Sequence, residues 1–106
     1  MSNNQFDNAT VHAKANIYFD GKVVSRTIIT AAGERKTLGV MQLGQYHFNT
    51  GASEIMELLA GHCRVKLSGD SHWTEYGAGQ EFTVAANSAF DIEVDALLDY
   101  ICHFGN

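Results

Sequence analysis

The sequence predicts an all-β domain, a small barrel or two-sheet roll. Three observations carry this expectation. Ten glycines punctuate the chain at intervals of roughly 8–12 residues, the spacing of turns in sandwiches and barrels. Between them the apolar residues repeat with period 2, the period of a half-buried strand. Proline is absent from all 106 residues, so turns fall to Gly, Asn, Asp and Ser.

The elements follow in order. Met1 to Asn8 is polar, and residues 1–12 are expected as a flexible N-terminal tail. Residues 13–106 then form one domain, since the length fits one core and leaves no room for two. Val23, Ser25, Thr27 and Ile29 lie in a β-branched run. Tyr46, His47, Phe48 and Asn49 alternate aromatic with polar. Ser53 to Ala60 contains good helix formers after a plausible N-cap, but it is short and flanked by strand-like pieces, and propensity is a weak prior at this length. From Ile55 to Leu67 the pattern predicts two strands around a tight turn at Ala60-Gly61. Parity then places Met56 and Leu58 inward, and Cys63, Val65 and Leu67 inward after the turn, leaving Arg64 and Lys66 outside. Phe82 and Val84 alternate, as do Phe90, Ile92 and Val94, and Tyr100, Ile101 and Cys102 close the chain. About nine strands of about five residues would fill it, and a closed or double-sheet roll would remove most exposed edges.

Composition narrows the function classes. Hydrophobic residues make up 45% and charged ones 18%, a globular balance rather than a disordered one. The net charge of −5 lacks the basic footprint of a nucleic-acid binder, so an anionic substrate would be held by a few local cations. No apolar run approaches the ~18 residues of a membrane span, and the N-terminus lacks the order of a signal peptide. Cys63 and Cys102 have no zinc-like spacing and are expected as reduced, buried thiols of a cytoplasmic protein.

Two motif frames then appear. Glu54 followed by six residues and Gly61 fits the tail of the first cupin motif, with His47 at its first histidine position. Asn49 stands where the second histidine would be. In the second cupin motif Gly79 is in place, while Ala85, Asn87 and Phe90 stand for its proline, glycine and ligand histidine. His47 and Glu54 alone give two ligands where a transition metal usually takes three or four, so no metal is expected. His12, His62, His72 and His103 show no metal spacing and read as surface or turn residues.

A tighter pattern runs from Asn16 to Phe104. It begins Asn16-x-Tyr18-Phe19-x-Gly21-Lys22-Val23, then Gly39-Val40-Met41 and Gly44-x-Tyr46-x-Phe48-x-Thr50. Glu54-x-Met56 and Gly61 follow, then Trp73-x-x-Tyr76-x-x-Gly79-x-x-Phe82-x-Val84, Ser88-x-Phe90 and Tyr100-x-Cys102. This ordered set resembles the family of small pyrimidine/purine nucleoside phosphorylases. The resemblance implies a cupin-type double-stranded β-barrel (jelly roll), a homodimer, no cofactor, and a pentosyltransferase reaction. In that reaction inorganic phosphate cleaves adenosine, guanosine, inosine, uridine, cytidine, thymidine or xanthosine to the free base and α-D-ribose 1-phosphate. The chain departs from the family pattern at Ala85-Ala86-Asn87, where a Pro-Gly turn is expected, and this bears on one loop at the barrel mouth.

Phosphorolysis asks for a cation or N–H groups around phosphate, and for negative charge near a sugar carbon that becomes oxocarbenium-like. Arg35, in the Gly33-Glu34-Arg35-Lys36-Thr37 loop, matches an arginine of the family pattern, and its planar fork suits phosphate oxygens. Arg26 and Lys22 are alternatives. Glu54 is the best carboxylate for the catalytic role, expected on one face with His47 and Asn49 near the ribose. His47 is read as a neighbour of the substrate. Aromatic and sulfur-bearing walls tolerate purines and pyrimidines alike, and Tyr46, Phe48, Met56, Phe90 and Tyr100 are expected there. Each would equally serve as plain barrel core. Trp73 is expected to cap a barrel end or a dimer contact. Two other classes compete: a cupin that binds a nucleoside or sugar without turnover, and a metal cupin acting as an isomerase or dioxygenase.

Overall fold

The computed structural model describes residues 5–105. Nine strands are present among them: β1 (Thr10–Val11), β2 (Asn16–Tyr18), β3 (Val23–Ile29), β4 (Arg35–Met41), β5 (Gly44–Asn49), β6 (Glu54–Leu67), β7 (Thr74–Gly77), β8 (Glu81–Val84) and β9 (Ala89–Phe104). A short 3₁₀ turn, Phe19–Gly21, joins β2 to β3. Every pairing is antiparallel.

Two long strands organise the rest. β6 and β9 pair along nearly their whole lengths, and each serves two layers. In the first layer β3 pairs β4, β4 pairs the second half of β9, and the first half of β6 follows with β8 at its edge. β1 and β2 both pair the free side of β3. In the second layer β5 pairs the first half of β9, and β7 pairs the second half of β6. The result is a jelly roll whose core lies between the layers, with Val23, Leu58, Cys63, Ile92 and Leu98 fully buried. Burying an aliphatic side chain of this size contributes about 1.5–3 kcal/mol.

Strand lengths differ from the expected uniform five, running from 2 residues in β1 to 16 in β9. The expected hairpin at Ala60-Gly61 is a β-bulge inside one continuous strand of 14 residues. Register against β9 shifts repeatedly between Leu58 and Cys63, which is how an extra residue bends a strand without ending it. The inward parity nevertheless changes as read: Met56 and Leu58 are buried before the bulge, Cys63 and Val65 after it. Arg64 lies on the outer face, where its Nε and Nη2 each donate to Glu93 at 3.1 Å. Its guanidinium also lies 4.6 Å over the ring of Trp73. Gly61 is required at the bulge. Its φ is +95°, and a Cβ there would sit 2.1 Å from the carbonyl oxygen of Leu97.

Two further expectations change at the chain level. Thr10–Val11 fall inside the stretch expected as a tail, yet they pair with Ile29 and Ile28 of β3. Both are β-branched residues, suited to a pleated edge. The Ala85-Ala86-Asn87 loop keeps a tight turn without proline, because Asn87 itself takes the left-handed conformation at φ 52°. Asparagine tolerates that region better than other non-glycine residues. Thr50 pins the loop, its hydroxyl donating to Ala85 O at 2.7 Å and accepting from Ser88 N at 2.9 Å.

Candidate active site

The inner face of the first layer can be read row by row from the strand register. One row holds Ile29, Arg35, Phe104 and Glu54. The next inward holds Thr27, Thr37, Cys102 and Met56. A third holds Asn16, Ser25, Gly39, Tyr100 and Leu58. This face is unusual for a barrel interior, because its rows are largely polar. The opposing wall is aromatic: Phe48 of β5 stacks on Phe90 of β9 with ring centroids 5.5 Å apart, and Tyr18 meets Phe48 edge-on at 6.2 Å. Between the walls lies an open cavity of about 260 Å³.

Six of the eight residues singled out from sequence line this cavity: Arg35, Phe48, Glu54, Met56, Phe90 and Tyr100. Two lie off it. Tyr46 is buried in the core beside them, its hydroxyl donating to Gln42 O at 2.7 Å. His47 points from the outer face, since successive residues of a strand alternate and Tyr46 and Phe48 take the inner one. Its side chain is 56% exposed, with Nδ1 2.8 Å from Asp91. His62 and His103, expected on the surface or in turns, sit in strands, and each contacts carboxylates: Asp95 and Glu75 for His62, Glu57 for His103.

Arg35 opens β4 at the edge of the cavity. Its guanidinium lies 4.0 Å over the Phe104 ring, a cation–π arrangement that fixes the plane without consuming a donor. It makes no hydrogen bond or ion pair with another described residue. Glu54 lies in the same row. Burial pushes its carboxyl above the ordinary glutamate value, opposed by the Cys102 thiol donating to it and by the charge of Arg35. Thr37 stands opposite Cys102 in the register and lowers its thiol slightly against the effect of burial. Burial and the neighbouring Glu54 hold the Cys102 thiol firmly protonated, as burial holds the phenol of Tyr100. Among the described residues no group of three or more His, Cys, Asp or Glu side chains converges as a metal site.

The sequence reading missed the polar wall of Asn16, Ser25, Thr27 and Thr37. The signal was present: Ser25 and Thr27 occupy alternate positions of a β-branched run that continues inward from Val23. Asn16, Tyr18 and Cys102 belong to the ordered pattern but carried no assigned role.

The fold and cavity define a cupin-type protein whose small barrel encloses a polar wall, an aromatic wall and an arginine uncommitted among the described residues. A cupin described as RmlC-like, from Shewanella frigidimarina, superposes with a TM-score of 0.67 at 15% identity, covering 86% of this chain and 81% of that one. The family profile for pyrimidine/purine nucleoside phosphorylase matches residues 13–104, and the chain belongs to that family. The pyrimidine/purine nucleoside phosphorylase of Cupriavidus pinatubonensis is 59% identical over 105 residues, covering 99% of this chain and all of that one. Its namesake in Cupriavidus metallidurans is 61% identical over 95% of this chain and 98% of its own. A protein of unknown function from Acinetobacter sp. ADP1, 43% identical, superposes with a TM-score of 0.92 over 95% of this chain and 98% of its own.

Proposed function

We propose that the chain is a nucleoside phosphorylase, transferring the ribosyl group of purine and pyrimidine nucleosides to inorganic phosphate. The observation that carries this reading is Arg35. Among the described residues it is a cavity-lining guanidinium with every N–H donor uncommitted, beside a carboxylate in the same row of the wall. A planar fork of donors suits the oxygens of phosphate. Phosphate held there attacks C1′ of the ribose through one oxygen. The C1′–N bond breaks, and its electron pair leaves with the base. Glu54 offsets the positive charge that builds on the sugar between these events. Phe48, Phe90, Met56 and Tyr100 wall the base. Stacking and sulfur contacts of this kind do not depend on one base-edge pattern, in keeping with relatives whose name spans pyrimidines and purines. The range of nucleosides (adenosine, guanosine, inosine, uridine, cytidine, thymidine, xanthosine) and the product α-D-ribose 1-phosphate belong to this proposal.

The test is release of free base from that panel of nucleosides, with and without phosphate, after treatment with a chelator. Release that needs phosphate and survives chelation supports the reading. Absence of release from every nucleoside overturns it and leaves a binding cupin. A homodimer belongs to the same proposal. The outer side of the first layer exposes Ile17, Leu38, Val40, Leu59 and Leu97, an apolar face suited to a second copy. Light scattering at about twice the chain mass is the expected result.

A further inference from the structure

Asn16, Ser25 and Thr27 form one hydrogen-bonded group on the polar wall, with Tyr100 beside it. Nδ2 of Asn16 donates to Ser25 Oγ at 3.2 Å and to Thr27 Oγ1 at 3.0 Å. The phenol of Tyr100 lies beside Ser25, on the other side of Gly39. The last contact depends on an absence of side chain. Gly39 stands between Ser25 and Tyr100 in the register, and a Cβ on it would lie 2.7 Å from Cζ and Oη of Tyr100 and 2.8 Å from Ser25 Cβ. The ring of Tyr100 therefore crosses β4 over Gly39 to reach β3. Any side chain at residue 39 would block it.

This network settles what Asn16 offers to a ligand. An amide has two N–H donors and one carbonyl oxygen. Both donors go to hydroxyls of β3. Oδ1 is left, with no partner among the described residues, on a residue that lines the cavity. In this arrangement the amide presents an acceptor from the third row of the wall.

A fixed acceptor requires a donor that every substrate presents. The bases do not share one: the Watson–Crick edges of purines and pyrimidines put donors at different positions. The sugar hydroxyls are the part common to nucleosides of both classes. We propose that Oδ1 of Asn16 accepts a hydrogen bond from a ring hydroxyl of the ribose, at 2′ or 3′, so that Asn16 orients the sugar between Arg35 and the aromatic wall. Ser25, Thr27 and Tyr100 act as positioning residues behind it. The inference rests on the phosphorylase reading for the identity of its ligand.

The experiment compares wild type with Asn16→Ala on adenosine, 2′-deoxyadenosine and 3′-deoxyadenosine. It measures phosphate-dependent kcat/KM and, separately, calorimetric affinity for each nucleoside. A single such hydrogen bond predicts a loss of roughly three- to tenfold on adenosine, with the apparent KM for phosphate unchanged. For the analogue lacking the hydroxyl that Asn16 reads, wild type and variant should behave alike, and the two analogues show which hydroxyl it is. An equal loss on all three nucleosides, or none on adenosine, overturns the proposal. Thr27→Val removes one of the two restraints with little change of shape, and predicts the same pattern at smaller size should Asn16→Ala fail to fold. If wild type releases no base, the phosphorylase reading fails by itself and the calorimetric comparison still decides the subsite. Failure of wild type to bind any of the three nucleosides overturns both.

Discussion

Replacing Gly61 with alanine tests how the two layers are joined. Two costs arise at this position. A φ of +95° is unfavourable for any residue with a Cβ, by roughly 1–2 kcal/mol. The added Cβ would also lie 2.1 Å from Leu97 O and 2.8 Å from Ala96 O, where a weak C–H···O contact needs about 3.3 Å. Both neighbours are backbone atoms of β9, so relief requires β6 and β9 to part by about an ångström. That loosens ladder hydrogen bonds worth about 1 kcal/mol each. A total of about 3–5 kcal/mol is expected. Gly69 is the control. Its φ is +91°, but no atom lies within 4 Å of a Cβ built there, so Gly69→Ala carries the conformational cost alone. For a domain of this size 1 kcal/mol corresponds to about 4–8 °C in Tm. Gly61→Ala should unfold at least about 8 °C below Gly69→Ala in thermal denaturation followed by circular dichroism. Midpoints within about 3 °C of each other would refute the close-approach argument.

Further outcomes follow from the site. Arg35→Ala should raise the apparent KM for phosphate by tenfold or more and leave that for nucleoside within about twofold, since a charge-assisted bond contributes about 1.5–3 kcal/mol; initial rates over a grid of both substrates check this, and equal changes in the two would remove Arg35 from the phosphate subsite. Glu54 has a raised value in the folded protein, so the folded state holds its proton more tightly than the unfolded state. Stability from this group is present at low pH and lost as pH rises from near 4.5 through the raised value. Urea unfolding of Glu54→Gln should accordingly gain on wild type across that window and hold a constant difference above it. Burial pushes the Cys63 thiol up to about 11 and holds Cys102 protonated as well. Neither should react with a disulfide reagent at pH 7.5 until denaturant is added, and stoichiometric labelling of the native protein would contradict their burial.

The all-β class was legible because burial alternates with the chain. Phe90, Ile92 and Val94 are buried at every second position, and the helix formers from Ser53 to Ala60 yield to the same rule, with Met56 and Leu58 inward. Gly61 marked a break in pattern, but a glycine with positive φ serves a bulge as well as a hairpin. Only the partner strand decides between them, and it lies far along the chain. His47 was misplaced for a related reason: parity holds within a strand, and the loop between Asn49 and Glu54 resets it. The polar wall was hard to see because Ser25 and Thr27 read like an outward face. Their inward aim shares the parity of buried Val23, and the register with β4 and β2 carries it across the wall.

The long span of β9 also governs the order in which the molecule can be made. β4, β5 and β6 all pair with residues 89–104, with pairs as distant as Lys36 and His103. A ribosome releases β6 well before β9 exists. Until then three strands have open edges and the cavity has no floor. Such non-local closure slows folding. It leaves the nascent chain holding apolar strands without partners, a state in which aggregation competes. The barrel should therefore fold late and in one step, after its final strand has emerged.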